Sequence, residues 1–187
     1  QKVIIEPAAG GLDDQKIITV NAALGGRDAP ESDQWVTMPD VHQPDDCPEA
    51  NYWRGDGSGL NARLEIRVAK GHFHGDKTIN ARSDGRLVFW LRSREGHIAD
   101  ARMLAIAADY VASGIAGATG LHAGGNSLDN TIRYGRIVPC EWILCDVQIE
   151  ALVQGIVHGR MRLYSPDGVL MATASQSMIM RVHPKPE

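Results

Sequence analysis

A single carboxylate interrupts one of the most apolar stretches of the chain. Asp109 lies within residues 103–112, three residues after Ile106 and six after Met103, where an ionised group is costly to bury without polar partners. Buried ionisable groups are enriched at active sites but are not confined to them. Asp109 is therefore a candidate functional residue, and the alternative is an exposed stripe of a helix with no role.

Two further segments place polar side chains at the ends or in the middle of predicted strands. Ser127-Leu128-Asp129-Asn130 follows a glycine loop, where small polar groups either line a cleft or cap the turn. Gln176 lies among small residues in a strand, and its amide needs hydrogen-bond partners if it is buried. Exposure of Gln176 on the outer face of a sheet is the alternative.

The elements that must position these residues follow an α+β pattern. Helical spacing of apolar residues after residue 97 predicts a helix that begins at His97 or Asp100 and ends at Gly114. Period-2 patterns, apolar runs and turn residues predict strands on both sides of it, over residues 64–68, 86–92, 127–134, 141–152, 156–164 and 169–182. A long helix followed by an antiparallel meander predicts a helix that covers one face of a sheet.

The N-terminal third of the chain has a different composition. Two β-branched runs separated by glycines and acids predict a β-hairpin over residues 2–23. Residues 25–59 are rich in proline and acidic residues and end in a glycine-rich stretch, which indicates a linker or crossing segment.

Composition narrows the function classes. The 187 residues carry a net charge of −4, so no basic field is available for nucleic acid, and the longest apolar run is too short for a membrane span. Three cysteines without a metal-binding or redox spacing are expected to be reduced thiols, and with no leader visible the cytoplasm is the expected location. His72 and His74 could form half a metal site, but no further ligand follows at useful spacing, so we predict no metal.

Several segments in a fixed order resemble the acyl-CoA thioesterase II (TesB-like) family. They are the helix with Ala-x-Asp at Asp109, Ser127 to Arg133, Glu141-Trp142-Ile-Leu, the hairpin from Tyr164 to Ala172, and Ser-Gln-Ser around Gln176. The resemblance covers about residues 60–182 and implies the hotdog fold, a long helix wrapped by an antiparallel sheet. Members carry two such folds. The resemblance thus implies that residues 1–24 are the terminal hairpin of a truncated first hotdog, 25–59 the interdomain segment and 60–187 the C-terminal hotdog.

The resemblance also implies an active site. Its catalytic residues fall on Asp109, Ser127 and Gln176, which would activate a water that hydrolyses an acyl-CoA thioester to the free acid and CoA, with no cofactor or metal. Asn130 stands where the family pattern has histidine, and Ser177-Met178 replaces the usual Glu-Gly. These departures indicate a divergent branch.

Substrate contacts are predicted at Asp129, Asn130, Trp142 and Arg133. The expected partner besides acyl-CoA is a second copy of the chain or a complementary hotdog, because a lone hotdog leaves apolar surface and a sheet edge uncovered. Two alternatives remain open. One is a hotdog hydratase or dehydratase acting on acyl-CoA, and the other is a non-catalytic acyl-binding module.

Overall fold

The chain forms two compact units, residues 1–33 and 34–187, in a computed structural model that describes residues 2–5, 20–26, 28–29, 31–50, 52 and 57–184. In the first unit, β1 (Lys2–Ile5) pairs antiparallel with β2 (Val20–Ala23). The glycines and acids expected to turn this hairpin lie outside the described residues. That the hairpin belongs to a first hotdog stays a prediction.

The second unit is a seven-stranded antiparallel sheet around a central helical segment. Its strands are β3 (Leu64–Lys70), β4 (Arg86–Ser93), β5 (Ala123–Ser127), β6 (Thr131–Tyr134), β7 (Ile143–Val153), β8 (Ile156–Tyr164) and β9 (Leu170–Val182). They lie in the order β3-β4-β7-β8-β9-β5, and β6 pairs with β9 next to β5. This arrangement confirms the predicted α+β layout.

The helical segment is longer than the sequence predicts. Helix α1 (Ala101–Ala108) is capped by Asp100, whose carboxylate accepts hydrogen bonds from the backbone N–H groups of residues 102 and 103. A 3₁₀ segment (Asp109–Gly114) and helix α2 (Ile115–Thr119) follow without a break, so the prediction that Gly114 ends the helix is wrong. A glycine is required at position 114 for another reason. A Cβ there would lie 3.1 Å from the Ile149 side chain, so glycine lets the helical segment pack closely on β7.

The strand predicted over residues 127–134 is two strands. β5 begins at Ala123 and takes in Gly124 and Gly125, while β6 begins only at Thr131. Both pair with β9, and the chain leaves the ladder between them at Leu128–Asn130. The glycines were expected in a loop, but Gly125 lies against Ile115, where a Cβ would come within 2.8 Å of that side chain.

Apolar clusters pack on both faces of the sheet. The helical segment packs on the inner face, where Leu104, Val111 and Ile115 are fully buried. A smaller cluster on the outer face is covered by residues 36–41, which lie in the segment predicted to be a linker. Gln34 fastens this segment to the turn before β9, because its side chain donates to the carbonyl of Gly168 and accepts from the N–H of Leu170. Within the described residues, no helix is long and apolar enough to span a membrane.

Gly120 ends α2 in the left-handed conformation, with φ of 69°. A Cβ at this position would lie 2.6 Å from the carbonyl carbon of Ala81, which is backbone and cannot move aside. We expect Gly120→Ala to lower the free energy of unfolding by about 2–3 kcal/mol in urea titrations, because left-handed strain and a backbone clash add together.

Gly96→Ala is the matched control for that substitution. Gly96 has φ of 76°, but a Cβ there would meet no atom within 4 Å. Gly96→Ala should lower the free energy of unfolding by about 1 kcal/mol, the cost of the left-handed conformation alone. An equal decrease in the free energy of unfolding in the two variants would show that the close contact between Gly120 and residues 81–82 does not affect stability.

Candidate active site

Gln176 is the buried centre of a polar cluster that also contains Asp109 and Ser127. It lies on β9 with its side chain on the inner face, the face shared with the buried residues Ala174 and Met178. Only 2% of Gln176 is exposed. Its Nε2 donates to Asp109 Oδ1 at 2.7 Å and to Ser127 Oγ at 3.0 Å. The three residues predicted to be catalytic therefore form one hydrogen-bonded group.

Asp109 lies where the helical segment changes from α to 3₁₀ geometry. It follows the last residue of α1 and is exposed, so the expectation that this carboxylate is buried in the apolar stretch is wrong. Its Oδ1 is also 3.5 Å from the side-chain nitrogen of Asn130, the residue that replaces the expected histidine. The carboxylate thus has amide donors on its inner side and solvent on the other, a setting that keeps it accessible to a water molecule.

The next residues of the 3₁₀ segment anchor it to other parts of the domain. Tyr110 donates its hydroxyl to Asn61 Oδ1 at 2.6 Å. Burial raises the pKa of Tyr110 well above its usual range, with smaller contributions from Tyr52 and Asp109, so this donor stays protonated. Ser113 is hydrogen-bonded to Nδ1 of His74 at 3.2 Å. These contacts fix the turn of the chain that carries Asp109.

Ser127 and the following loop close on the middle of β9. Ser127 is the last residue of β5, opposite Met178. The N–H of Leu128 then bonds to the carbonyl of Ser177 at 2.8 Å, and the Asp129 carboxylate accepts from the N–H of Ser177 at 2.9 Å. Asp129, predicted to contact substrate, therefore holds the loop that brings Ser127 and Asn130 toward Asp109.

A glycine that the sequence analysis did not single out makes this cluster possible. Gly159 on β8 is paired with Gln176, and a Cβ there would lie 2.7 Å from Cγ1 of Val111. A glycine inside a strand pattern often marks a close approach of another chain segment. This signal was present in the sequence and identifies the point where the helical segment rests beside Gln176.

The remaining predicted substrate contacts lie elsewhere. Trp142 packs with the outer-face cluster, and the guanidinium of Arg92 lies 4.5 Å from its ring centroid. Arg133 is exposed on β6, and the adjacent Ile132 packs against the inner core, so the two side chains leave opposite faces of the sheet. The structure therefore brings together Asp109, Ser127, Gln176, Asp129 and Asn130, but neither Trp142 nor Arg133.

The two histidines considered as half a metal site have separate partners. They lie in the loop after β3 and not on one strand face. His72 is paired with Asp76 at 2.7 Å, whereas His74 is bonded to Ser113. Burial, with a smaller effect of His183, holds the pKa of His74 below its usual range. Within the part of the chain that the structure describes, no group of three possible ligands could hold a metal ion.

Comparison with solved structures shows the same architecture in other proteins. A protein assigned as a thioesterase from Novosphingobium aromaticivorans is 30% identical, with a TM-score of 0.75 over 95% of this chain and 70% of that one. A protein of unknown function with the hotdog fold from Alicyclobacillus acidocaldarius is 18% identical, with a TM-score of 0.76 over 93% of this chain and 66% of that one. The central helix within a curled antiparallel sheet is therefore the hotdog fold.

The acyl-CoA thioesterase II TesB2 from Mycobacterium marinum is similar in fold. It is 18% identical, with a TM-score of 0.61 over 99% of this chain and 75% of that one. No curated protein sequence matches the chain. The family model for the acyl-CoA thioesterase C-terminal domain matches residues 44–180, which include every member of the polar cluster. The chain therefore belongs to the acyl-CoA thioesterase family, through its C-terminal domain.

Proposed function

We propose that the chain hydrolyses acyl-CoA thioesters with a water molecule that Asp109 activates, in a group that Ser127 and Gln176 complete. The observation that carries this proposal is the Gln176 amide, which is hydrogen-bonded to the other two residues at 2.7 and 3.0 Å. Family membership supports the thioester as substrate, and the solvent-exposed carboxylate of Asp109 supports a water molecule as nucleophile.

The hydrogen bonds distinguish the roles of the three residues. Both N–H groups of the Gln176 amide are used by Asp109 and Ser127, so none is left for the substrate. Gln176 is therefore a positioning residue. Because Ser127 Oγ accepts from Gln176, its own hydrogen is free to point at the thioester carbonyl or at the water.

The chemistry then needs one proton carrier. Asp109 accepts a proton from the water as its oxygen attacks the thioester carbon, and the C–S bond breaks when the tetrahedral intermediate collapses. The same carboxylic acid returns the proton to the departing thiolate, which leaves as the CoA thiol. The free acid and the thiol account for all atoms of the thioester and the water.

Loss of the Asp109 carboxylate should remove this proton carrier. We expect Asp109→Asn to lower kcat by about 100-fold or more, measured as release of free thiol from a panel of short- to long-chain acyl-CoAs. Asp100→Asn is the matched control in the same helix, because asparagine caps a helix as well as aspartate does. Turnover of the Asp109 variant within a few-fold of the control would exclude it as the base.

Gln176 should contribute more to activity than to stability. Its Oε1 is buried without a hydrogen-bond partner among the described residues, and an unpaired buried acceptor costs about 1–3 kcal/mol. Gln176→Met removes this cost together with the bonds to Asp109 and Ser127. We expect the free energy of unfolding to stay within about 1 kcal/mol of the wild-type value, while thiol release falls by about 100-fold.

Gln148→Met is the comparison for that variant. The Gln148 amide donates to the carbonyls of Asp84 and Ile149, so its loss should cost about 1–2 kcal/mol of stability and leave turnover unchanged. A larger loss of stability for Gln176→Met than for Gln148→Met would show that Gln176 has a mainly structural role.

The alternative functions have less support. A hydratase or dehydratase of this fold would pair its aspartate with a histidine, but no histidine is hydrogen-bonded to Asp109 or Ser127 in the described part of the chain. A non-catalytic acyl-binding module would bind acyl-CoA without turnover. The thiol-release assay separates this outcome from hydrolysis.

We propose further that the domain pairs with a second hotdog, in another copy of the chain or in a complementary one. Several large apolar side chains of the second unit are exposed: Leu121, Leu152, Val153 and Val182. Light scattering should give a mass of two chains or more, and a monomer would contradict this.

The location proposed for the protein is the cytoplasm. The free thiols of Cys47, Cys140 and Cys145 are consistent with that reducing compartment.

A further inference from the structure

The outer face of the sheet has an apolar half and a polar half. The apolar half is formed by Val88, Trp90, Leu144 and Tyr164 and is covered by residues 36–41. The polar half lies on β8, β9 and β6, and its outward side chains are exposed or half-buried. We name it the arginine face and define it by Arg160, Arg162, Thr173, Ser175, Thr131 and Arg133.

The alternation of burial establishes which way these side chains point. On β8, Met161 and Leu163 are buried in the inner core, so Arg160 and Arg162 leave the opposite face. On β9, buried Ala172 and Ala174 alternate with Thr173 and Ser175. Arg133 alternates with Ile132 in the same way on β6.

Strand pairing aligns the cations on both sides of a hydroxyl. Thr173 is paired with Arg162 on one side and with Arg133 on the other. Because neighbouring strands are about 4.8 Å apart, the Cα atoms of these two arginines are about 10 Å apart. Long guanidinium side chains at that separation can bind one phosphate or diphosphate group from both sides, with the hydroxyl between them.

The nearby acids do not neutralise these two arginines. Asp146 lies beside Arg162 in the sheet, but its carboxylate is bonded to Arg86 at 2.9 and 3.1 Å. Glu150 is paired with Arg160 at 2.5 Å. Arg133 and Arg162 have no ion-pair partner among the described residues, so their charge is available to an external anion on a chain whose net charge is −4.

The arginine face lies close to the proposed reaction centre. Thr173 is three residues from Gln176 on the same strand, which is about 10 Å. At Gln176 and Ser177 the edge of β9 that pairs with β5 and β6 has no strand partner, and the exposed loop Leu128–Asn130 lies there, bonded to Ser177. The extended arm of a CoA thioester would run over this loop to reach the arginine face.

We infer that the arginine face binds the phosphate groups at the nucleotide end of CoA, with Arg133 and Arg162 as the principal contacts. This rests on the proposed function, because it assigns CoA as the carrier of the acyl group. The small area of the arginine face suits a small phosphorylated ligand, whereas a carrier protein would need a complementary surface of about 800 Å².

The direct test is binding of adenosine 3′,5′-bisphosphate, measured by calorimetry at low salt. The wild-type chain should bind it, and the double variant Arg133→Gln/Arg162→Gln should bind about 10- to 100-fold more weakly. Arg181→Gln removes an exposed arginine at the far end of β9 and should bind like the wild type. No binding by the wild type, or equal affinity in all three proteins, overturns the inference.

A kinetic arm tests the inference during turnover. For an acyl-CoA substrate, the double variant should raise KM by about 10- to 100-fold with kcat unchanged. For the matching acyl-pantetheine thioester, which lacks the nucleotide, KM should not change. An equal rise for both substrates, or a rise only for a thioester on an acyl carrier protein, contradicts the inference. Absence of all turnover would contradict the proposed function alone, since the binding experiment requires no hydrolysis.

Discussion

The close contact between the helical segment and the sheet is the constraint on which the site depends. Gly159 and Gly125 leave no room for a Cβ, which would come within 2.7 Å of Val111 and 2.8 Å of Ile115. A larger side chain at either position would move the helical segment outward. A hydrogen bond weakens steeply when its donor and acceptor separate, so such a shift would break the link from Gln176 to Asp109. The close packing of the core is therefore also a condition for the hydrogen-bond geometry of the cluster.

The Gln176 amide shows how this fold places a polar group inside an apolar layer. The side chain replaces one of the small residues that line the inner face of β9, and two of its bonding groups find partners on two different elements. The third does not. A residue that is imperfectly satisfied where it is buried is expected at functional sites, where stability is exchanged for reactivity.

The sequence predicted the three clustered side chains, most of the strands and the presence of one central helix. It could not predict that the helical segment continues past Gly114, because a glycine ends a helix by default and only the packing of Val147 and Ile149 explains this one. The sequence could not place Trp142 and Arg133 relative to the cluster for a related reason. Alternation along a strand separates two faces but does not say which of them the helix covers, and both residues lie on the outer one. The pairing of β5 and β6 with the same strand needed long-range contacts that no local pattern carries.

The break between β5 and β6 has a consequence for the dynamics of the domain. Two hydrogen bonds join the loop at Leu128–Asn130 to β9, and both involve Ser177. An opening that separates the helical segment from the sheet would expose the buried inner core, and its free energy would approach that of global unfolding. Release of the loop costs these bonds and the 3.5 Å contact of Asn130 with Asp109, and it exposes little apolar surface. Opening of this loop therefore uncovers the residue next to Gln176 at a lower cost than separation of the helical segment, and reactant exchange at this site does not require the core to loosen.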